Sequence, residues 1–208
     1  MTTKGIAIGF VFMSMVFAVY GAEPKTVLFD KMDTNHSTVA FVVPIFGGFS
    51  EVQGKFTDFS VSVQYSTDLS RASVKAVIKT ASIDTGVEDR DNDLRSSNFF
   101  DVVKYPEITF VSARIERRGT QYLAVGSLTM HGISKEIELP FEVHGPDGDE
   151  GKGFVFGIKA ETTLDRDDFG ITWRHPKEAF VGDQIQIKIR LITKLTKAPQ
   201  LLEETNRQ

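Results

Sequence analysis

Arg90 and Arg95 are the side chains of this 208-residue sequence best suited to recognising a ligand. They precede the paired aromatics Phe99 and Phe100 within residues 90–112, a segment that interrupts an otherwise strand-patterned chain. A guanidinium pairs well with phosphate or another anionic or polar head group. Its commoner use is a salt bridge to a nearby carboxylate, and Asp89, Asp91 and Asp93 are neighbours in sequence. Other candidates for chemistry carry less. The four histidines, at 36, 131, 144 and 175, form no close pair of metal-ligand spacing, and there is no cysteine. Asp147, Asp149 and Glu150 fall in a glycine-rich turn whose spacing is not that of a calcium loop. Ser50 lacks the strand-turn-helix setting of a nucleophile elbow. His36 and Ser37 are adjacent, so on a strand they point to opposite faces. The carboxylates at 89–93 and 165–168 suit capping and solvation, and Asp89 and Asp91 suit the dipole at a helix start. No metal site and no catalytic constellation emerge.

The elements that must position these side chains are strands. Val39, Phe41, Val43 and Ile45 alternate along one segment, and Phe59, Val61, Val63 and Tyr65 along the next. The cleanest set is Ile185, Ile187, Ile189 and Leu191 against Gln184, Gln186, Lys188 and Arg190. Successive side chains on a strand face opposite ways, so each set describes one wet and one dry face. Turn residues at 117–120, 131–132 and 145–151 separate the runs. The pattern predicts an all-β fold of about eight antiparallel strands in meander order, several ~10 residues and so ~33 Å long. Long up-and-down strands favour a barrel over a sandwich. A short helical insert is expected around residues 87–104, against one barrel end. An eight-stranded interior is filled by side chains or holds one small ligand. The 17 phenylalanines, three of them within the first 22 residues, indicate an aromatic interior and fit either case.

Domain organisation follows from the ends. Lys4, the apolar run 5–20 and the small residues Gly21 and Ala22 have the form of a secretory signal peptide, with cleavage after Gly21 or Ala22. The run is slightly shorter than the ~20 residues of a spanning helix, so cleavage is expected rather than a lasting membrane anchor. The chain then divides into a leader (residues 1–22), a β-barrel domain (23–197) and a polar tail (198–208) expected to fray. Losing Lys4 takes the formal charge from −4 to −5. That balance, without basic clusters, offers no footprint for nucleic acid and none for strong binding to an anionic membrane surface. An exported domain with no cysteine is held without disulfides, although its compartment would permit them.

Several motifs in order resemble the YceI-like family of exported lipid- or polyisoprenoid-binding proteins. They are Asp33-x-x-His36-Ser37 with Phe41, Gly54-x-Phe56, and Ser82-Ile83-x-Thr85. The strongest block is Arg90-Asp91-x-x-Leu94-Arg95-Ser96 with Phe99, Tyr105-Pro106, Phe110 and Ser112. Gly126-x-Leu128-Thr129, Gly132 and Asp168-Phe169-Gly170-Ile171 complete the series. The resemblance implies a lipocalin-like barrel, often dimeric, that encloses a long apolar ligand such as an isoprenoid in the periplasm. One departure stands out. Where family members often carry a polar or basic residue and His-Leu-Gly, this chain has the more apolar Val42-Val43-Pro44-Ile45-Phe46-Gly47-Gly48-Phe49.

The resulting expectation is a periplasmic carrier without catalytic residues, metal or cofactor other than its bound lipid, and without nucleic-acid partners. Its pocket is expected to be lined by Phe41, Phe56, Val61, Ile78, Phe110, Leu139, Phe156 and Ile187. Phe46 and Arg90 are added at the rim, with Phe99, Phe100 and Trp173 near the mouth. The alternatives are a hydrolase or isomerase of such a lipid, using Asp91, Arg90 and His36, or a filled structural or stress-related envelope module.

Overall fold

The computed structural model describes residues 25–28, 32–33, 35–65, 72–149, 153–174 and 181–195. The leader and tail expected from the sequence lie outside them. Among the described residues eleven strand segments occur: β1 (Lys25–Leu28), β2 (Thr38–Ile45), β3 (Ser50–Phe56), β4 (Phe59–Tyr65), β5 (Ser73–Lys79), β6 (Ile83–Asp84), β7 (Glu107–Arg118), β8 (Gln121–Met130), β9 (Ile133–Asp149), β10 (Gly153–Asp165) and β11 (Gln184–Leu195). One α-helix among the described residues, α1 (Glu88–Arg95), follows β6. It sits inside the predicted insert, whose remainder is a series of turns.

Eight strands were expected and eleven segments are present because three of the strands are broken by bends. β3 runs into β4 through Thr57 and Asp58, and β5 runs into β6 through the 3-10 turn Thr80–Ser82. The two bent strands stay paired around their common corner. Phe56 faces Ile83 on one side of it and Phe59 faces Ile78 on the other. At the corner, Thr57 N–H donates to the Ser82 carbonyl at 3.1 Å, and Lys79 N–H donates to the Asp58 carbonyl at 2.9 Å. β1 and β2 behave alike, pairing with β4 and β3 respectively. Counted this way the fold is the eight-stranded antiparallel barrel. Its last strand, β11, pairs with β2, Ile187 opposite Phe41, and completes the ring.

Local residue choice explains the irregular points. The β8–β9 turn takes positive φ at both His131 (51°) and Gly132 (76°), the two-residue geometry that matches strand twist. β7 bulges between Ser112 and Arg114, and Gly126 of β8 lies across from it. A Cβ on Gly126 would stand 2.3 Å from the Val111 carbonyl oxygen, so only glycine fits there. β9 continues to Asp149, so the glycine-rich stretch expected to be a loop from 145 is largely strand. Because neighbouring strands alternate in direction, α1, the β2–β3 hairpin, the β8–β9 turn and the 3-10 turn Asp167–Phe169 gather at one end of the barrel.

A candidate ligand cavity in the barrel

The dry faces of the strands do not meet. They enclose a cavity of about 490 Å³. Alternate residues of β11 (Ile185, Ile187, Ile189 and Leu191) and of β2 (Val39, Phe41, Val43 and Ile45) form part of the wall. Small residues on other strands, Ala76, Ala124 and Ala160, leave the space that larger side chains would fill. One aromatic series crosses the wall: Phe41 contacts Phe56 at 5.8 Å between centroids, and Phe56 meets Phe100 edge-on at 5.9 Å. Phe99 packs on Trp173 at 5.2 Å. At the far end the cavity gives way to a second cluster, in which Val61 and Leu191 pack with Met32, Val63 and Phe156.

The charged and hydroxyl side chains of the described lining are Arg90, Asp93, Thr162 and Arg166. The helix that brings Arg90 and Asp93 to the cavity is tied down by its own charged residues. Asp91, only 6% exposed, accepts from the Thr85 backbone N–H at 2.9 Å and from the Thr85 hydroxyl at 2.6 Å. Arg90 Nε donates to that same hydroxyl oxygen at 2.8 Å, and its Nη2 to the Thr85 carbonyl at 3.1 Å. Arg95 donates to the carbonyls of Ala81 (3.0 Å) and Ile83 (2.6 Å). The arginines therefore do structural work, but through Thr85 and backbone carbonyls rather than through the aspartates expected from sequence. Glu88, Asp89 and Asp91 occupy the first turn of α1, where they complement its dipole.

A second charged group stands at the connection between β10 and β11. Arg166, 5% exposed, pairs with Asp183 and donates through Nη1 to the carbonyls of Ile171 (3.1 Å) and Trp173 (3.0 Å). Arg174 Nη2 bridges Asp167 (2.7 Å) and Asp183 (2.8 Å), and these two carboxylates raise its pKa further, Asp167 by its hydrogen bond most of all. The two guanidinia and two carboxylates balance. Arg166 was not anticipated from the sequence. The available signal was a lone arginine among Asp165, Asp167 and Asp168, which read as an acidic turn.

Of the side chains expected at a pocket, Phe41, Phe56, Val61, Ile78, Phe110, Leu139 and Ile187 lie on the cavity wall. Arg90, Phe99, Phe100 and Trp173 also line it, at the α1 end. Phe46 and Phe156 are not among the described lining. Phe46 sits in the β2–β3 turn with φ 53° and is 55% exposed. Phe156 lies on the same face of β10 as Ile158 but two residues further along, opposite Thr193, and it packs in the far-end cluster instead. The trio named for lipid chemistry is not assembled. His36 is exposed outside the lining and bonds Asp33 at 2.9 Å, while Asp91 is engaged by Thr85. Among the described residues no group of three or more metal-ligating side chains comes together. His175 and Glu150 lie outside them.

Comparison with known proteins gives the same architecture. Protein YceI of Salmonella agona is 32% identical over 166 residues, 79% of this chain and 86% of that protein. The crystal structure of Burkholderia cenocepacia BcnA superposes with a TM-score of 0.68 at 25% identity, covering 78% of this chain and 99% of that one. A polyisoprenoid binding domain from Saccharophagus degradans, implicated in plant cell wall breakdown, shares the fold at a TM-score of 0.60 and 15% identity, covering 79% and 97%. The model of the YceI-like domain matches residues 31–193, and this chain belongs to that family.

Proposed function

We propose that this protein is a carrier that holds one long apolar molecule, an isoprenoid or similar lipid, inside its barrel in the periplasm. The observation that carries the reading is the cavity of about 490 Å³, walled by aliphatic and aromatic side chains with a few polar groups. Ligand sites of ~300–1,000 Å³ built this way are the usual form of a small-molecule pocket. The fold shared with a polyisoprenoid binding domain supports the ligand class. The signal-peptide form of residues 1–22 supports export. Binding requires neither metal nor cofactor, and a homodimer is the assembly implied by the family resemblance.

The test is direct. The protein is purified without detergent, extracted with organic solvent and analysed by mass spectrometry, and the emptied protein is titrated with isoprenoids. A stoichiometric lipid and saturable uptake are expected. No bound lipid together with no saturable uptake refutes the proposal. Long incubation that leaves the ligand chemically unchanged separates a carrier from a lipid-modifying enzyme. Fractionation with N-terminal sequencing of the mature chain checks export, and light scattering checks assembly.

A further inference from the structure

The α1 end of the barrel exposes apolar side chains for which the cavity has no use. Among the described residues seven large apolar side chains are exposed. Five of them, Phe46, Phe49, Val87, Val103 and Ile133, stand in or beside the turns gathered at this end. Single exposed apolar residues are ordinary, whereas a group of them in one place marks an interaction surface. Phe49 is 94% exposed and Val103 93%. The β2–β3 tip projects into open space, since a Cβ on Gly47 or Gly48 would meet nothing within 4 Å. Its backbone is strained as well. Phe46 takes φ 53°, a left-handed conformation that is rare for an aromatic residue and is kept mostly where it serves function.

The cavity opens beside these tips, for Asp93 both lines it and is exposed to solvent. In the β2–β3 hairpin Ile45 and Val52 line the cavity, while Phe46 and Phe49, between them in sequence, are exposed. Apolar surface thus continues from the wall to the outside. A water-insoluble cargo is exchanged with a lipid phase, and apolar tips around its exit suit the interface of one. Charge selects the lipid. The segments that form this end (45–55, 84–104, 131–136, 165–174 and 181–184) carry twelve carboxylates against seven lysines and arginines. That balance repels an anionic surface and suits a zwitterionic one, whose ammonium groups face outward. We propose that the α1 end docks on a zwitterionic lipid bilayer, with Phe49 and Val103 inserted among the headgroups and Phe46 beside them. Cargo then passes between bilayer and barrel without crossing water. The handover rests on the carrier reading above, whereas the docking stands on the surface alone.

The experiment floats the intact mature protein with vesicles of phosphatidylethanolamine and phosphatidylcholine. Phe49→Ser and Val103→Ser should each weaken vesicle binding about tenfold, the worth of one apolar side chain withdrawn from water. Urea unfolding checks that both variants remain folded. Two further readouts need only the wild type. Adding phosphatidylglycerol to the vesicles should weaken binding. Retinol, a fluorescent isoprenoid, should leave the loaded protein for vesicles at a rate that rises with vesicle concentration. No vesicle binding by the wild type, or unchanged binding in both folded variants, overturns the docking and leaves the carrier reading standing. Stronger binding to vesicles with phosphatidylglycerol overturns the choice of lipid. A transfer rate independent of vesicle concentration means release through water and overturns the handover. A dimer that the substitutions convert to monomer, with vesicle binding unchanged, assigns the tips to a second copy of this chain instead. Vesicle binding without saturable uptake of retinol or of any isoprenoid overturns the carrier reading and the handover, while the docking survives.

Discussion

Filling the cavity from its two opposite walls should evict the ligand without unfolding the barrel. Ala76 on β5 and Ala160 on β10 both line the cavity, and their strands stand four apart on the eight-strand ring. Phenylalanine at both positions sends two rings toward each other. Truncating one large side chain opens space on the order of 150 Å³, so the two rings take up roughly 300 Å³ of the 490 Å³ present. A ligand that loses contact for only four methylenes forfeits about 3 kcal/mol, more than a hundredfold in affinity. In a solid core each insertion would cost about 1–3 kcal/mol by overpacking. In an open cavity the burial of new ring surface offsets that cost, and the double variant should unfold within about 2 kcal/mol of the wild type. Lipid per mole of protein, isoprenoid titration and urea unfolding give the three readings. A folded double variant that keeps the same lipid, stoichiometry and affinity would show that the ligand does not occupy this space.

The wall itself offers further tests. A Cβ on Gly54 would stand 2.3 Å from Phe41 Cζ, so Gly54→Ala should displace that ring and weaken isoprenoid binding about tenfold, the effect of ~1.4 kcal/mol of misfit; unchanged affinity would mean that the ring position does not matter to the ligand. Gly126→Ala meets the backbone of Val111 and Ser112 at 2.3 and 2.5 Å, where no side chain can yield, and should lose about 2 kcal/mol or more in urea unfolding. The His36 hydrogen bond, with charge attraction adding to it, holds the Asp33 carboxyl below its usual range. A lowered carboxylate pKa favours the fold above the unfolded value and ceases to do so as pH falls through the folded value. The melting-temperature gap between wild type and Asp33→Asn should therefore be present at about pH 6 and close toward about pH 2; a gap that widens on acidification would refute the assignment.

Much of this architecture could be read in the sequence because a half-buried strand writes its two faces as alternating residues. The alternating runs at 39–45, 59–65 and 185–191 correspond to β2, β4 and β11. β3 was not recognised as a strand, since Ser50–Phe56 carries only Val52 and Phe56 as apolar positions and Gly54 between them. Gly54 is a strand residue because the Phe41 ring covers it, a fact that belongs to the partner strand. Parity says nothing of depth: Phe156 shares the inner face of Ile158, the two standing opposite Thr193 and Leu191 of β11, yet it lies beyond the cavity in the far-end cluster. Hollow and filled barrels share the same apolar inner positions, so the cavity was not legible. Arg90 and Arg95 advertised themselves by residue type, whereas Arg166 gains its significance from burial and from its ion pair with Asp183.

The ring is completed by a ladder that pairs Val39 with Ile189, far more distant in sequence than the partners in any hairpin of the meander. Joining ends about 150 residues apart costs roughly 2 kcal/mol more loop entropy than forming a ten-residue hairpin, and long-range pairings of this kind slow folding. Before β11 reaches β2, both strands are open edges with apolar inner faces, a form prone to stick to other chains. A molecule that binds only the finished ring stabilises it by mass action. Lipid supply during refolding should then raise the yield of native protein, making the cargo a participant in the last step of maturation.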